Sequence, residues 1–195
     1  MNTNIEDQDQ ALLKPITPEI VTRAQQGDED ALGTIYKRYR LDIYRYLYYR
    51  VGQMQAAEDL TSEVFERVIR AIQKSNFKNT SLEAWLFQIA RNLAIDHYRK
   101  MSVRDHVPLD ESLLSGDSSI DKTIEDQWVN DQLVQALKEV SDAQRDVIIL
   151  RFAVSMPIAQ VAQTLHRSED SVKGLQRRGL MTIRNILSDL ESNDA

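Results

Sequence analysis

The stretch from Met156 to Leu180, MPIAQVAQTLHRSEDSVKGLQRRGL, decides the fold. Pro157 suits the first position of a helix, where its missing N–H leaves no bond unmade. Val161, Ala162 and Leu165 place an apolar stripe on that helix, and the small Ala162 lets a second helix cross closely. His166 stands where a turn of this kind often has a glycine, and Arg167 where an apolar residue is commoner. Ser168 is a good N-cap for the next helix, with Glu169 and Asp170 favourably placed in its first turn. Val172 and Leu175 face inward, while Lys173, Arg177 and Arg178 fall outside that stripe. The pattern is a helix-turn-helix whose second helix is apolar below and basic above, a shape that fits a DNA major groove. An ordinary solvated face on a pair of short helices fits the same residues, so the motif by itself is a hypothesis.

Reading back toward the N-terminus, Ser141 and Gln144 supply a capping box for a helix through Val147, Ile148 and Leu150. Before it, Trp128, Leu133, Leu137 and Val140 keep helical period. From Met101 to Glu125 the chain turns to Ser, Asp, Gly and Pro, the composition of a linker. The first half is again helical. Thr17 and Pro18 open a short helix that Gly27 closes, and Asp28 caps a long tyrosine-rich helix that stops at Gly52. Leu60, Val64, Val68 and Ile72 repeat every four residues in a third helix, about Gln55 to Lys74. Thr80 and Glu83 form a capping box for a fourth, carrying Leu82, Trp85, Leu86, Ile89 and Leu93. The expected fold is all-α, with two small helical domains joined by a flexible acidic linker. A disordered tail covers 1–16, a four-helix domain 17–101, the linker 102–126, a helix-turn-helix domain 127–190 and a short tail 191–195.

Composition narrows the function. The chain has no cysteine, which excludes disulfides and thiolate metal sites and fits a reducing cytoplasm. Neither a signal peptide nor an apolar run near the roughly 20 residues that span a bilayer is present, so a soluble cytoplasmic protein is expected. Net charge is −6, yet the charges are segregated. Acids gather at both ends and in a central group that includes Asp105, Asp110, Glu111, Asp117, Asp121, Glu125, Asp126 and Asp131. Bases gather at Arg91, Arg99, Lys100 and Arg104, and again at Arg167, Lys173, Arg177, Arg178 and Arg184. Local potential rather than net charge steers a polyanion, so two basic faces imply two contacts. His97, His106 and His166 lack metal-ligand spacing, and no nucleophile motif or glycine-rich phosphate loop occurs. No enzyme, catalytic residue, metal or cofactor is expected.

The fourth helix continues as AWLFQIARNLAIDHYRK from Ala84 to Lys100, with Gln88, Arg91, Asn92 and Arg99 on a polar, basic face opposite the apolar stripe. Before it lies AEDLTSEVFERV, from Ala57 to Val68. These two stretches, followed by a linker and a helix-turn-helix, resemble the sigma factors of bacterial RNA polymerase. The resemblance is to the short extracytoplasmic-function (ECF) group of the sigma-70 family, which keeps the second and fourth conserved regions. It covers about residues 18–100 and 127–188. The Val172-Lys173 step departs from the commoner pattern, in which several arginines follow, and no further domain is expected after Asn193.

The resemblance implies promoter-specific transcription initiation with core RNA polymerase, and it assigns roles. Glu58, Asp59, Leu60, Ser62, Glu63, Phe65 and Glu66 would dock on the clamp helices of the β′ subunit, with Thr61 on the same polar side. Asn76, Phe77, Lys78, Asn79, Gln88, Arg91, Asn92, Arg99 and Lys100 would take the −10 element as an opened strand, where stacking contributes about 1–3 kcal/mol per base. Trp85 and the tyrosines of the second helix read as packing. Arg167, Ser168, Ser171, Lys173, Gly174, Gln176, Arg177 and Arg178 would read the −35 element as duplex, through phosphates and base edges. The implied partners are core RNA polymerase, through the β′ clamp helices and the β subunit, promoter DNA, and an anti-sigma factor of the kind common in the family. The linker would let two readers reach spaced elements; its charge could keep it off DNA or seat it in a basic channel. The rival reading is a stand-alone helix-turn-helix regulator that binds operator DNA without polymerase.

Overall fold

The structure is a computed structural model that describes residues 16–74, 81–104 and 124–193. Among these residues every regular element is helical: α1 (Pro18–Gln25), α2 (Glu29–Val51), α3 (Met54–Gln73), α4 (Leu82–Arg104), α5 (Ile124–Lys138), α6 (Asp142–Ile148), a π-helical turn (Ile149–Ala153), α7 (Ile158–Leu165) and α8 (Glu169–Asn193). The helices start and stop where local chemistry dictates. Asp28 Oδ1 accepts the Ala31 N–H at 3.0 Å, and Gly52 ends α2 in the left-handed region at φ +77°. Ser141 accepts the Gln144 N–H while the Gln144 side chain accepts the Ser141 N–H, completing the expected capping box. Ser168 Oγ accepts the Ser171 N–H at 3.2 Å, as its N-cap reading requires.

Several boundaries move. Pro157 is the N-cap of α7 rather than its first residue. Thr80 lies outside the described residues; Ser81, its neighbour, accepts the Ala84 N–H at 3.5 Å, and Glu83 turns away to a partner described below. Helix α4 runs on to Arg104 and α5 begins at Ile124, so the span expected as linker contributes turns to both. The helix through Leu150 widens into the π turn, where the Val154 N–H donates to the Ile149 carbonyl at 3.1 Å; five residues separate the pair.

Helices α2, α3 and α4 pack on one another with α1 across α2 and α3. Leu60, Val64, Val68 and Ile72 of α3 are buried as their spacing predicts. In the second half α8 packs on α5, α6 and α7, and Arg145 is buried beneath it. The Arg145 guanidinium donates to the Leu137, Lys138 and Val140 carbonyls, closing the C-terminal end of α5 that has no helical partners of its own. Gly179 lets α6 approach α8 with nothing between: a Cβ there would lie 2.6 Å from Ile148 Cδ1 and 3.1 Å from Gln144 Cβ. The two halves are not separate bodies. Helix α4 packs on α7, and α2 packs on α5 and the π turn.

Candidate nucleic-acid interface

Three faces carry the residues singled out in the sequence. On α3, Glu58, Asp59, Ser62 and Glu66 are exposed and Glu63 is partly so. Glu63 and Glu66 pair along the helix with Arg67 at 2.6 Å and Arg70 at 2.8 Å. Each pair is mostly solvated and contributes about 0.3–0.5 kcal/mol. The ridge therefore alternates acids with the arginines of the next turn. Leu60 and Phe65 are buried and Tyr36 packs its ring edgewise on Phe65 at 4.8 Å, so both apolar residues support the ridge from below. Thr61 is buried too, donating to the Ala57 carbonyl at 2.6 Å, and does not belong to the polar side. Beside the ridge lies a cleft of about 420 Å³ between α3 and α4, floored by Leu60 and Leu93 and walled by Asp59, Glu63, His97 and Lys100.

Helix α4 differs from its expected division into apolar stripe and basic face. Leu82, Leu86 and Leu93 are buried, while Trp85 and Ile89 are half-buried. Ala84, Phe87, Ala90 and Ala94 are buried as well. The helix is covered on two sides because it lies between the two halves of the molecule. Gln88 and Arg91 are partly exposed and bond to the second half of the molecule. Gln88 Nε2 lies 3.4 Å from the Thr164 carbonyl and 2.8 Å from His166 Nε2. Arg91 Nε donates to Asp146 Oδ2 at 2.7 Å. Asn92, Arg99 and Lys100 are exposed, whereas Asn76, Phe77, Lys78 and Asn79 lie outside the described residues.

Asp146 itself was not singled out, and it is the most densely partnered acid described. It is fully buried, and Tyr46 Oη donates to its Oδ1 at 2.8 Å. Arg50 Nε sits 3.2 Å from the same oxygen without hydrogen-bond geometry, leaving Arg50 Nε and Nη1 buried and unbonded. Arg50 Nη2 reaches Asp142 Oδ1 at 2.9 Å. Burial, then the neighbouring Asp146 charge, push the Tyr46 phenol well above its ordinary pKa, so it remains a donor. Burial raises the Asp142 carboxyl, but the Arg50 hydrogen bond and charge outweigh it and hold the group below the usual carboxylate range. Removing one member of a fully buried pair costs about 3–5 kcal/mol. The Arg50–Asp142 pair contributes far less, because Asp142 stands largely in water. Nearby, Glu83 accepts from Gln160 Nε2, and burial raises the Glu83 pKa.

On α8 the expected basic face is open. Arg167, Ser168, Lys173, Arg177 and Arg178 are exposed, and Ser171, Gly174 and Gln176 partly so. Val172 and Leu175 are buried under them. Lys173 pairs loosely with Asp170 at 3.4 Å, and Gln176 accepts from Arg151 Nε at 3.3 Å, which steadies one polar side chain of the face. His166 takes the left-handed turn position at φ +51°, the conformation for which such turns favour glycine. The angle between α7 and α8 is thus kept without one.

Two family models match in this order along the chain: Sigma-70 region 2 over residues 35–103 and Sigma-70, region 4 over residues 136–185. The ECF RNA polymerase sigma factor SigX of Bacillus subtilis is 33% identical over 168 residues, covering 80% of this chain and 83% of SigX. This chain belongs to the ECF sigma factors. BldN of Streptomyces coelicolor, another ECF RNA polymerase sigma factor, is 36% identical over 173 residues; the match covers 88% of this chain and 66% of BldN. Among solved structures, CnrH in complex with the cytosolic domain of CnrY aligns at TM-score 0.70 and 18% identity, over 90% of this chain and 99% of CnrH. RpoE of Bartonella quintana, in complex with the anti-sigma factor NepR, aligns at TM-score 0.55 and 19% identity, over 94% and 98%. At those identities the likeness is one of fold. Region 2 thus comprises most of α2 with α3 and α4, and region 4 begins at the end of α5 and takes in the helix-turn-helix of α7 and α8. No helix among the described residues is long and apolar enough to cross a membrane.

Proposed function

We propose that this sigma factor binds core RNA polymerase in the cytoplasm and directs initiation by reading two promoter elements, with region 2 taking the −10 element as opened strand and region 4 the −35 element as duplex. The carrying observation is the α8 face, on which Lys173, Arg177 and Arg178 stand exposed over buried Val172 and Leu175. A helix of that build enters a major groove with its bases outward. The acidic ridge of Glu58, Asp59, Ser62, Glu63 and Glu66 is the docking surface for the β′ clamp helices, its charges fixing register on a basic coiled coil. Leu60 and Phe65 hold that ridge from the core. Asn92, Arg99 and Lys100 are the −10 contacts open to solvent, to be joined by Gln88, Arg91 and the segment Asn76, Phe77, Lys78 and Asn79. The domains divide the work as 17–101 and 127–190, with 102–126 as the tether. The polymerase supplies the chemistry; this chain supplies addressing and strand capture, and an anti-sigma factor is a further partner of the same surfaces.

Run-off transcription with core RNA polymerase on a pool of promoter fragments tests the reading. Starts that depend on this protein and share two spaced upstream elements are expected. No new starts, together with tight sequence-specific binding to duplex DNA by the protein alone, would replace it with a stand-alone regulator.

A further inference from the structure

Helix α8 is tied down at a point well outside the turn that precedes it. Arg151, in the π-helical turn, reaches two other segments at once. Its Nε donates to Gln176 Oε1 of α8 at 3.3 Å, and its Nη1 donates to the Met156 carbonyl just ahead of α7. Met156 is fixed in turn. Its N–H donates to the Leu150 carbonyl at 2.9 Å, past Ser155 in the left-handed region at φ +62°, and its buried sulfur lies 3.6 Å from the Thr164 hydroxyl of α7. A chain of contacts therefore runs from α8 through Gln176, Arg151 and Met156 to Thr164 on α7. Gln176 lies one turn on from buried Val172, at the edge of the packed side of α8, whereas Lys173 and Arg177 stand exposed. Arg151 has only donors, so the Gln176 oxygen must face it. That leaves the amide poorly placed to offer donor and acceptor together, as an amide does when it reads adenine in a major groove.

We infer that Arg151 is a positioning residue for −35 recognition: it sets the direction of α8 against α7 and holds Gln176 as a strut rather than a base reader. This rests on the reading of α8 as the −35 face. Ser168 caps the start of the helix, and Gln176 meets Arg151 about two turns further on. Two separated points define a direction, as one cannot. Lys173, Arg177 and Arg178 then approach base edges and phosphates from the direction the strut sets, so Arg151 acts on specificity through α8. Arginine suits the task, because its planar fork holds two acceptors in a fixed relation, which a lysine ammonium on a flexible stem does not.

The test uses the full-length protein with core polymerase and one start found in the run-off pool. Two fragments compete, one with its −35 element intact and one with that element scrambled, and the ratio of their products measures preference. Arg151→Met should cut the ratio by about tenfold, the effect of one lost base contact, while product from the scrambled fragment stays near the parent level. Arg151→Lys should recover part of it. Gln176→Glu separates the two roles of that side chain. A carboxylate still accepts from Arg151, so the ratio should hold even where total product falls, whereas a base-reading amide would lose its donors and with them the preference. Loss of preference in Gln176→Glu would overturn the strut. So would an equal loss on both fragments in Arg151→Met with about one phosphate contact fewer in the salt slope of DNA binding, the mark of a direct phosphate contact. Thermal melts show that each variant is folded and close a second test. Gln176→Leu combined with Arg151→Met should lower the melting temperature by less than the two single shifts added, and additive shifts would sink the link between them. If the parent itself ignores the −35 element, the reading of α8 has failed instead, and the melts still decide whether Arg151 and Gln176 are coupled.

Discussion

Helices α4 and α8 each carry basic and amide side chains over an apolar underside, and they differ in what lies above. On α8 the upper face meets solvent, so Lys173, Arg177 and Arg178 are available to a polyanion as they stand. On α4, Gln88 and Arg91 are bonded to protein, and Ala84, Phe87, Ala90 and Ala94 add a second buried side. Basic patterning therefore does not say whether the face that carries it is open to a polyanion. The answer lies in the acid opposite it. Lys173 meets only exposed Asp170, on its own helix, whereas Arg91 meets Asp146, buried and shared with Tyr46 and Arg50.

The sharpest way to break this contrast is through polymerase. Asp59→Arg with Glu63→Arg should abolish retention of the protein by immobilised core polymerase, while leaving the helical circular dichroism unchanged. Retained binding would remove α3 from the docking surface. Next in size, Arg177→Ala with Arg178→Ala should weaken duplex binding by about tenfold or more and lower the salt slope by roughly two phosphate contacts. An unchanged slope in a filter-binding titration would mean that neither arginine touches a phosphate.

Gly52 sharpens the contrast from the side of packing. Its φ of +77° disfavours any side chain, and a Cβ there would lie 3.0 Å from Val134 Cγ1 of α5. Gly52→Ala should lower stability by about 1–2 kcal/mol in a denaturant melt, the backbone part arising in any state and the Val134 part only when the halves are together. The smallest effect is acid. The Asp142 carboxyl is held below its ordinary value, so its contribution is present above about pH 4, the unfolded pKa, and is lost as pH falls through the folded one. Its exposure keeps that contribution under about 1 kcal/mol. Denaturant midpoints followed from pH 6 to pH 3 should fall less steeply below about pH 4 in Asp142→Asn than in the parent chain.

The sequence was most legible where signals are local. Asp28, Gly52, the Ser141–Gln144 box and Ser168 each act over three or four residues, and each does in the structure what its chemistry requires. The four-residue repeat in α3 was legible for the same reason. The exposed basic face of α8 was readable because that helix is apolar on one side only. The buried cluster around Asp146 was not, because Tyr46 and Asp146 are 100 residues apart and polar residues in a core leave no periodic trace. One signal did stand in the sequence: α4 bears apolar residues all round, with Phe87, Ala90 and Ala94 between the positions of the leucine stripe, as a helix covered on two sides must. Leu60 and Phe65 read as contact residues because they sit among acids in the sequence, but both fall on the buried side of α3. The π turn at Ile149–Ala153 had no visible precursor at all.

The bare approach of α6 to Gly179 bears on how promoter preference can drift. The Ile148 side chain already occupies the space a β-carbon would need, so the approach of α8 to α6 depends on bare backbone at Gly179. The exposed positions immediately before it, Arg177 and Arg178, lie within the same rigid turn. Under the −35 role proposed above, substitutions there change which bases are preferred while the helix keeps its aim, at little cost to the stability of the domain.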